Sequence, residues 1–84
     1  MVKLLYFAKL RETLGVSEEE LALPASVENV QALVEWLRQR GGVWEAELSA
    51  GKSFRIAVNQ EMAEDGSAIH NGDEIAIFPP VTGG

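Results

Sequence analysis

The chain contains no cysteine. That absence excludes disulfide scaffolds, thiolate zinc sites, cysteine nucleophiles and dithiol redox pairs together. It has a single histidine, His70, too few for a histidine-based metal cluster and with none to spare for a Ser-His-Asp arrangement. Basic residues are scarce: 7 Lys and Arg stand against 13 Asp and Glu, a formal net charge of −6. Such a surface is a poor match for nucleic acid phosphates or an anionic membrane. No apolar run approaches the ~20 residues a membrane span needs. The opening run, residues 1–8, stops at Lys9 and Arg11, is too short for a signal peptide core and lacks a cleavage pattern. A cytoplasmic protein is the expectation. What remains is 84 residues, 46% hydrophobic and 24% charged. That is the composition of one small globular domain, which buries only ~60% of the surface its unfolded chain exposes.

The pattern along the chain predicts an α+β roll. Residues 2–8 read as a strand, with Val2, Leu4 and Tyr6 on one face and Lys3, Leu5 and Phe7 on the other. A short helical turn over 9–14 ends at Gly15. Residues 17–23 form a weaker strand, and the run Glu18-Glu19-Glu20 suits a solvated sheet edge. Ser26 then reads as the N-cap of one long helix whose stripe is Val27, Val30, Leu33, Val34 and Leu37. Arg38 and Arg40 fall in its last turn, and Gly41-Gly42 stops it. One more helical turn is expected near Trp44. A strand over 54–58, a tight turn at Asn59-Gln60-Glu61, a short returning strand and a last strand over 74–78 complete a mixed sheet of about five strands. The long helix covers one face of it.

A search for catalytic groups finds little. His70 stands beside a turn signal, Asp65, Asp73 and Glu74 lie where turns favour Asp, and Gly41-Gly42 has no phosphate-loop lysine after it. No metal site is expected. Trp36 and Trp44 read as cover for the helix-side core. Two features go beyond packing. Strand alternation with Ile56, Val58, Ile75 and Ile77 inward turns Arg55, Ala57, Glu74, Ala76 and Phe78 outward, alongside Leu5 and Phe7. A contiguous apolar patch of that kind on so small a protein points to a partner. The second is the end of the sequence. Pro79-Pro80 stiffens the exit from the last strand, and Gly83-Gly84 brings no side chains and wide backbone freedom. Such an arm carries a carboxylate into a channel too narrow for side chains, and a carboxylate becomes an acyl donor once another enzyme activates it.

These residues resemble a known family over essentially the whole chain. The specific segments are Phe78-Pro79-Pro80-Val81-Thr82-Gly83-Gly84 after Gly72-Asp73-Glu74, then Tyr6-Phe7-Ala8 with Leu10-Arg11-Glu12 and Gly15, and Ala57-Val58-Asn59-Gln60. With them the chain resembles the small, sulfur-carrying subunits of molybdopterin synthase, which are ubiquitin-like β-grasp proteins. The resemblance implies a β-grasp domain over 1–80 and a Gly-Gly tail over 81–84. It implies a non-catalytic carrier that binds no cofactor itself. An E1-like adenylyltransferase spends ATP to adenylate Gly84. A sulfur donor enzyme converts the adenylate to a thiocarboxylate. The large synthase subunit, in a heterotetramer with the carrier, delivers that sulfur to cyclic pyranopterin monophosphate. Gly84 and Gly83 are then the reacting end. Phe7, Met62, Phe78, Pro79, Pro80, Val81 and Thr82 are the implied partner contacts, with Leu5 and Arg11 beside them. Other Gly-Gly β-grasp proteins share the activation chemistry: the sulfur carrier of thiamine thiazole synthesis, shorter and without Phe-Pro-Pro-Val, and ubiquitin-like modifiers that form isopeptide bonds. A plain interaction module with an inert tail is the remaining class.

Overall fold

The computed structural model describes residues 1–49 and 53–80. Five strands form one sheet in the order β2-β1-β5-β3-β4. The chain runs β1 (Val2–Tyr6), α1 (Ala8–Leu14), β2 (Glu18–Leu21), α2 (Val30–Arg38), α3 (Gly42–Glu47), β3 (Arg55–Val58), β4 (Glu61–Met62) and β5 (Glu74–Phe78). β1 and β5 lie side by side and parallel at the centre; the other pairings are antiparallel. A parallel pair needs a crossover, and the helical middle of the chain supplies it.

Period-two alternation in the central strands builds the core. Val2, Leu4 and Tyr6 from β1 and Ile75 and Ile77 from β5 are all buried on the helix side. Leu33 and Leu37 from α2, Leu10 from α1 and Leu48 after α3 pack against them. Gly15 adopts φ 77° after α1, and its N–H donates to the Arg11 carbonyl at 3.0 Å, which closes the helix as expected for glycine there.

The long helix differs from its predicted form. It spans nine residues, Val30–Arg38, and Asn29 caps it rather than Ser26. The first-turn amides explain the choice. The Ala32 N–H donates to the Asn29 side chain at 2.8 Å, while the Val30 and Gln31 amides donate to the carbonyls of Ser67 and Asp65. The loop before β5 thus takes up the helix's unpaired donors, which a cap at Ser26 would leave elsewhere. Val27 is buried all the same, ahead of the helix. Downstream, Gly41 and Gly42 both take positive φ and turn the chain into α3, the predicted additional turn near Trp44.

Candidate functional site

The sheet face away from the helices carries the residues singled out in the sequence. Register sets them in rows. Leu5 pairs with Ala76, Ala76 with Ala57, and Ala57 with Met62, so one row crosses four strands with apolar side chains throughout. The next row toward the end of β5 holds Arg55 opposite Phe78. Phe7 joins it. Its backbone is extended, and its N–H donates to the Ile77 carbonyl at 3.3 Å, continuing the parallel ladder one residue past β1. Phe7 is 44% exposed and Met62 61% exposed, high values for large apolar side chains, while Leu5 and Phe78 are half-buried. The outward alternation predicted for Leu5, Phe7 and Phe78 therefore holds, and the two alanines between Leu5 and Met62 leave the strip low enough for larger side chains to seat on it.

β5 leaves this face directly. Phe78 is followed by the half-buried Pro79 and Pro80. Val81, Thr82, Gly83 and Gly84 lie outside the described residues. Arg11 is exposed on α1, one helical turn beyond Phe7, whose carbonyl accepts its N–H. A cleft of about 410 Å³ opens between α2 and β3, lined by Val34, Arg38, Phe54, Arg55 and Ala63 among others; it contains none of the predicted contact residues. Among the described residues no group of His, Cys, Asp or Glu is arranged to hold a metal ion, and no helix is long and apolar enough to cross a membrane.

Two polar networks brace the strands that form the face. At one edge, Glu19 points to the helix side, opposite Leu4, instead of standing solvated with its neighbours. It accepts the Tyr6 hydroxyl at 2.8 Å and both terminal nitrogens of Arg40, at 3.0 and 3.1 Å. Arg40 also stacks over Trp44 at 4.4 Å, and Trp44 meets Tyr6 edge-on at 5.4 Å. Burial alone would raise the Glu19 carboxyl, but the hydrogen bonds from Arg40 and Tyr6 and the guanidinium charge outweigh it and hold it below its ordinary value. Burial pushes the Tyr6 phenol well up, and its bond to Glu19 adds to the shift. Nothing local to residues 18–20 signals this network beyond the alternation that sets Glu19 on the same face as Leu21. At the other edge, Asn59, at φ 52°, turns the β3–β4 hairpin without a glycine. Its side chain donates to Asp73 and accepts the Glu74 N–H, both at 3.0 Å. The Asn59 side-chain NH2, with the His70 backbone N–H, holds the Asp73 carboxyl below its ordinary value.

Sequence comparison decides the family. The ThiS family model matches residues 4–84. The chain belongs to that family. Over all 84 of its residues it is 43% identical to the molybdopterin synthase sulfur carrier subunit of Haemophilus influenzae and 39% identical to that of Escherichia coli, covering the full length of each. Among solved structures it is similar to SAMP1, the small archaeal modifier protein 1 of Haloferax volcanii, with a TM-score of 0.78 at 27% identity, covering 99% of this chain and 98% of that one. The five-stranded mixed sheet with its helices is the α+β roll that the strand and helix order predicted and the β-grasp that the resemblance implied.

Proposed function

We propose that this chain is the sulfur carrier of a molybdopterin synthase, with the Gly84 carboxylate as its acyl site. In this reading residues 1–80 are the body and 81–84 the arm. A carboxylate is a poor electrophile because its leaving group is poor. An E1-like partner solves that with ATP: a carboxylate oxygen attacks the α-phosphate, pyrophosphate departs, and an acyl-adenylate forms. Sulfur from a donor enzyme displaces AMP at the acyl carbon and leaves a thiocarboxylate. The large synthase subunit then directs that sulfur to cyclic pyranopterin monophosphate, toward the dithiolene of molybdopterin. Nucleotide site and acid/base groups belong to the partners.

The observation that carries the reading is that the apolar face reaches the end of β5, the strand that residues 79–84 follow in sequence. Phe7 and Phe78 flank the point where β5 passes into Pro79-Pro80. A partner seated on Leu5, Phe7, Met62 and Phe78 lies against the end of β5, six residues before Gly84 in sequence. The full-length likeness to sulfur carrier subunits supports the same reading. Exposed Met62 suits a face that meets two partners in turn, because a flexible thioether adapts to different surfaces.

The test is reconstitution. The chain, an E1-like enzyme, ATP, a sulfur donor, the large subunit and cyclic pyranopterin monophosphate are expected to yield molybdopterin. A variant extended beyond Gly84 is expected to yield none. Equal yield from the uncleaved extended variant would overturn the assignment. The likeness to SAMP1 favours one second reading, a protein modifier; isopeptide conjugates on lysines, formed without any molybdopterin, would select it.

A further inference from the structure

The outer face is polarised along its strands. At the exit end, the row of Phe7 and Phe78 ends in Arg55, an exposed residue for which no ion pair exists among the described residues. Four residues back along β5, about 13 Å away at strand rise, the corresponding row is acidic. Glu74 pairs there with Lys3, and Lys3 pairs with Glu20. Lys3 is itself engaged by Glu18 at 3.3 Å, so the far row keeps an excess of negative charge. Arg40 is taken by Glu19 and Arg38 by Glu35; Arg11, exposed on α1 beside Phe7, is a second cation with no ion pair among the described residues, but it lies off the sheet. A free guanidinium beside two large apolar side chains, in a protein of net charge −6, is costly to cover unless the covering surface brings a counter-charge.

We propose that Arg55 is a docking-specificity residue, and that the large synthase subunit presents a carboxylate to it where that subunit covers Phe7 and Phe78. This rests on the carrier reading above. The chemistry favours a carboxylate: a guanidinium matches its two oxygens with a fork of N–H donors. The polarity of the face then fixes orientation. A partner turned end for end would set its acidic group against Glu74 and Glu20 and leave Arg55 facing nothing.

The experiment measures association of the full chain with the large subunit by stopped-flow fluorescence, at low salt and at 1 M salt. Four variants are compared with the unaltered chain: Arg55→Lys, Arg55→Ala, Arg55→Glu and Arg38→Glu. The last makes the same charge change on α2, on the wall of the cleft that Arg55 also borders, and so separates the outer face from that cleft. Thermal melting of each confirms folding. Charge at a rim position acts mainly on the association rate. Arg55→Glu is expected to associate about tenfold more slowly at low salt, Arg55→Ala to fall between, and Arg55→Lys to stay within about twofold. Arg38→Glu is expected to match the unaltered chain. The differences are expected to close at 1 M salt, where the screening length is ~3 Å. If Arg55→Ala and the unaltered chain associate alike at both salts, the Arg55 inference fails and the carrier reading stands. Equal slowing by Arg55→Glu and Arg38→Glu would assign the effect to net charge and also overturn it. If Arg55→Ala self-associates while docking normally, Arg55 serves to keep the thinly covered edge of β3 from pairing with another chain. If the unaltered chain does not bind the large subunit, both readings fall.

Discussion

Gln60 stands at φ 70° next to Asn59 at φ 52°, and the two join β3 to β4. Both central residues of a two-residue hairpin are left-handed in the turn that matches strand twist, which favours Asn-Gly. Asn59 fits: its side chain also ties the turn to the start of β5. Gln60 does not, because a Cβ in that region costs about 1 kcal/mol or more. Gln60→Gly is therefore expected to stabilise the fold by roughly 0.5–1 kcal/mol, net of the entropy glycine adds to the unfolded chain. Urea denaturation measures it; a loss of stability would mean the Gln60 side chain contributes a contact. The position of this turn was legible in Asn59-Gln60-Glu61, but its handedness was not, since no glycine marked it. At the docking row, Phe78→Ala is expected to weaken large-subunit binding by about 2 kcal/mol, the usual cost of truncating a buried aromatic anchor. Titration calorimetry beside a melting curve checks it. Unchanged affinity with a large fall in melting temperature would place Phe78 in the core and the register of β5 one residue out.

Elements are fixed by partners distant in sequence, which is why their existence was easier to read than their ends. The apolar stripe of α2 announced a helix, and Ser26 looked like its start. The start is instead decided by carbonyls of Asp65 and Ser67, about 35 residues away, that no local pattern contains. Asn29→Ala is accordingly expected to cost about 1 kcal/mol, and Ser26→Ala close to nothing. Thermal denaturation of the pair separates them, and the reverse ranking would restore the cap to Ser26. Edge strand β2 makes the same point. Three glutamates in a row read as a solvated edge, yet Glu19 clasps Tyr6 and Arg40 and so ties β2 to β1 and to the segment after α2. Tyr6→Phe leaves the ring packing and removes one bond to a charged group, an expected loss of about 1–2 kcal/mol by denaturation. The network also gives stability an acid dependence. Because the Glu19 carboxyl lies lower in the folded chain than in the unfolded one, its contribution is full above the ordinary carboxylate range, ~4.3. It is lost as pH falls through the lower folded value. Asp73 acts in the same direction. Glu19→Gln is expected to be less stable near neutrality and to lose less on acidification, read from unfolding midpoints across the acid range. An unchanged slope would assign the acid loss to other carboxylates.

At the scale of the molecule, the described residues supply one core and one apolar face, and the groups proposed to react follow them in sequence. The body was legible because alternation in β1, β3 and β5 and the stripe of α2 agree on one core. The apolar outer face was legible as a consequence of the same alternation. Arg55 was seen to point outward, but its value as a site residue needed register and the distribution of ion pairs, which only the folded chain provides. The Gly83-Gly84 arm is read from sequence and family, and its steric role is testable apart from its chemistry. Gly83→Ala and Gly83→Leu keep the carboxylate and add bulk. They are expected to leave stability nearly unchanged and to slow sulfur delivery progressively, Leu more than Ala, since near-attack geometry in a narrow channel tolerates little displacement. Single-turnover molybdopterin formation checks it, and equal rates for Gly, Ala and Leu would show a wide channel. The central claim is that Gly84 itself becomes the sulfur-bearing group, and intact mass tests it most directly. After incubation with the E1-like partner, ATP and a sulfur donor, the account predicts a gain equal to one oxygen replaced by sulfur, located in the C-terminal peptide and lost on mixing with large subunit and pyranopterin substrate. An unchanged mass under conditions where the E1-like partner releases pyrophosphate, or sulfur found on any other residue, would contradict it.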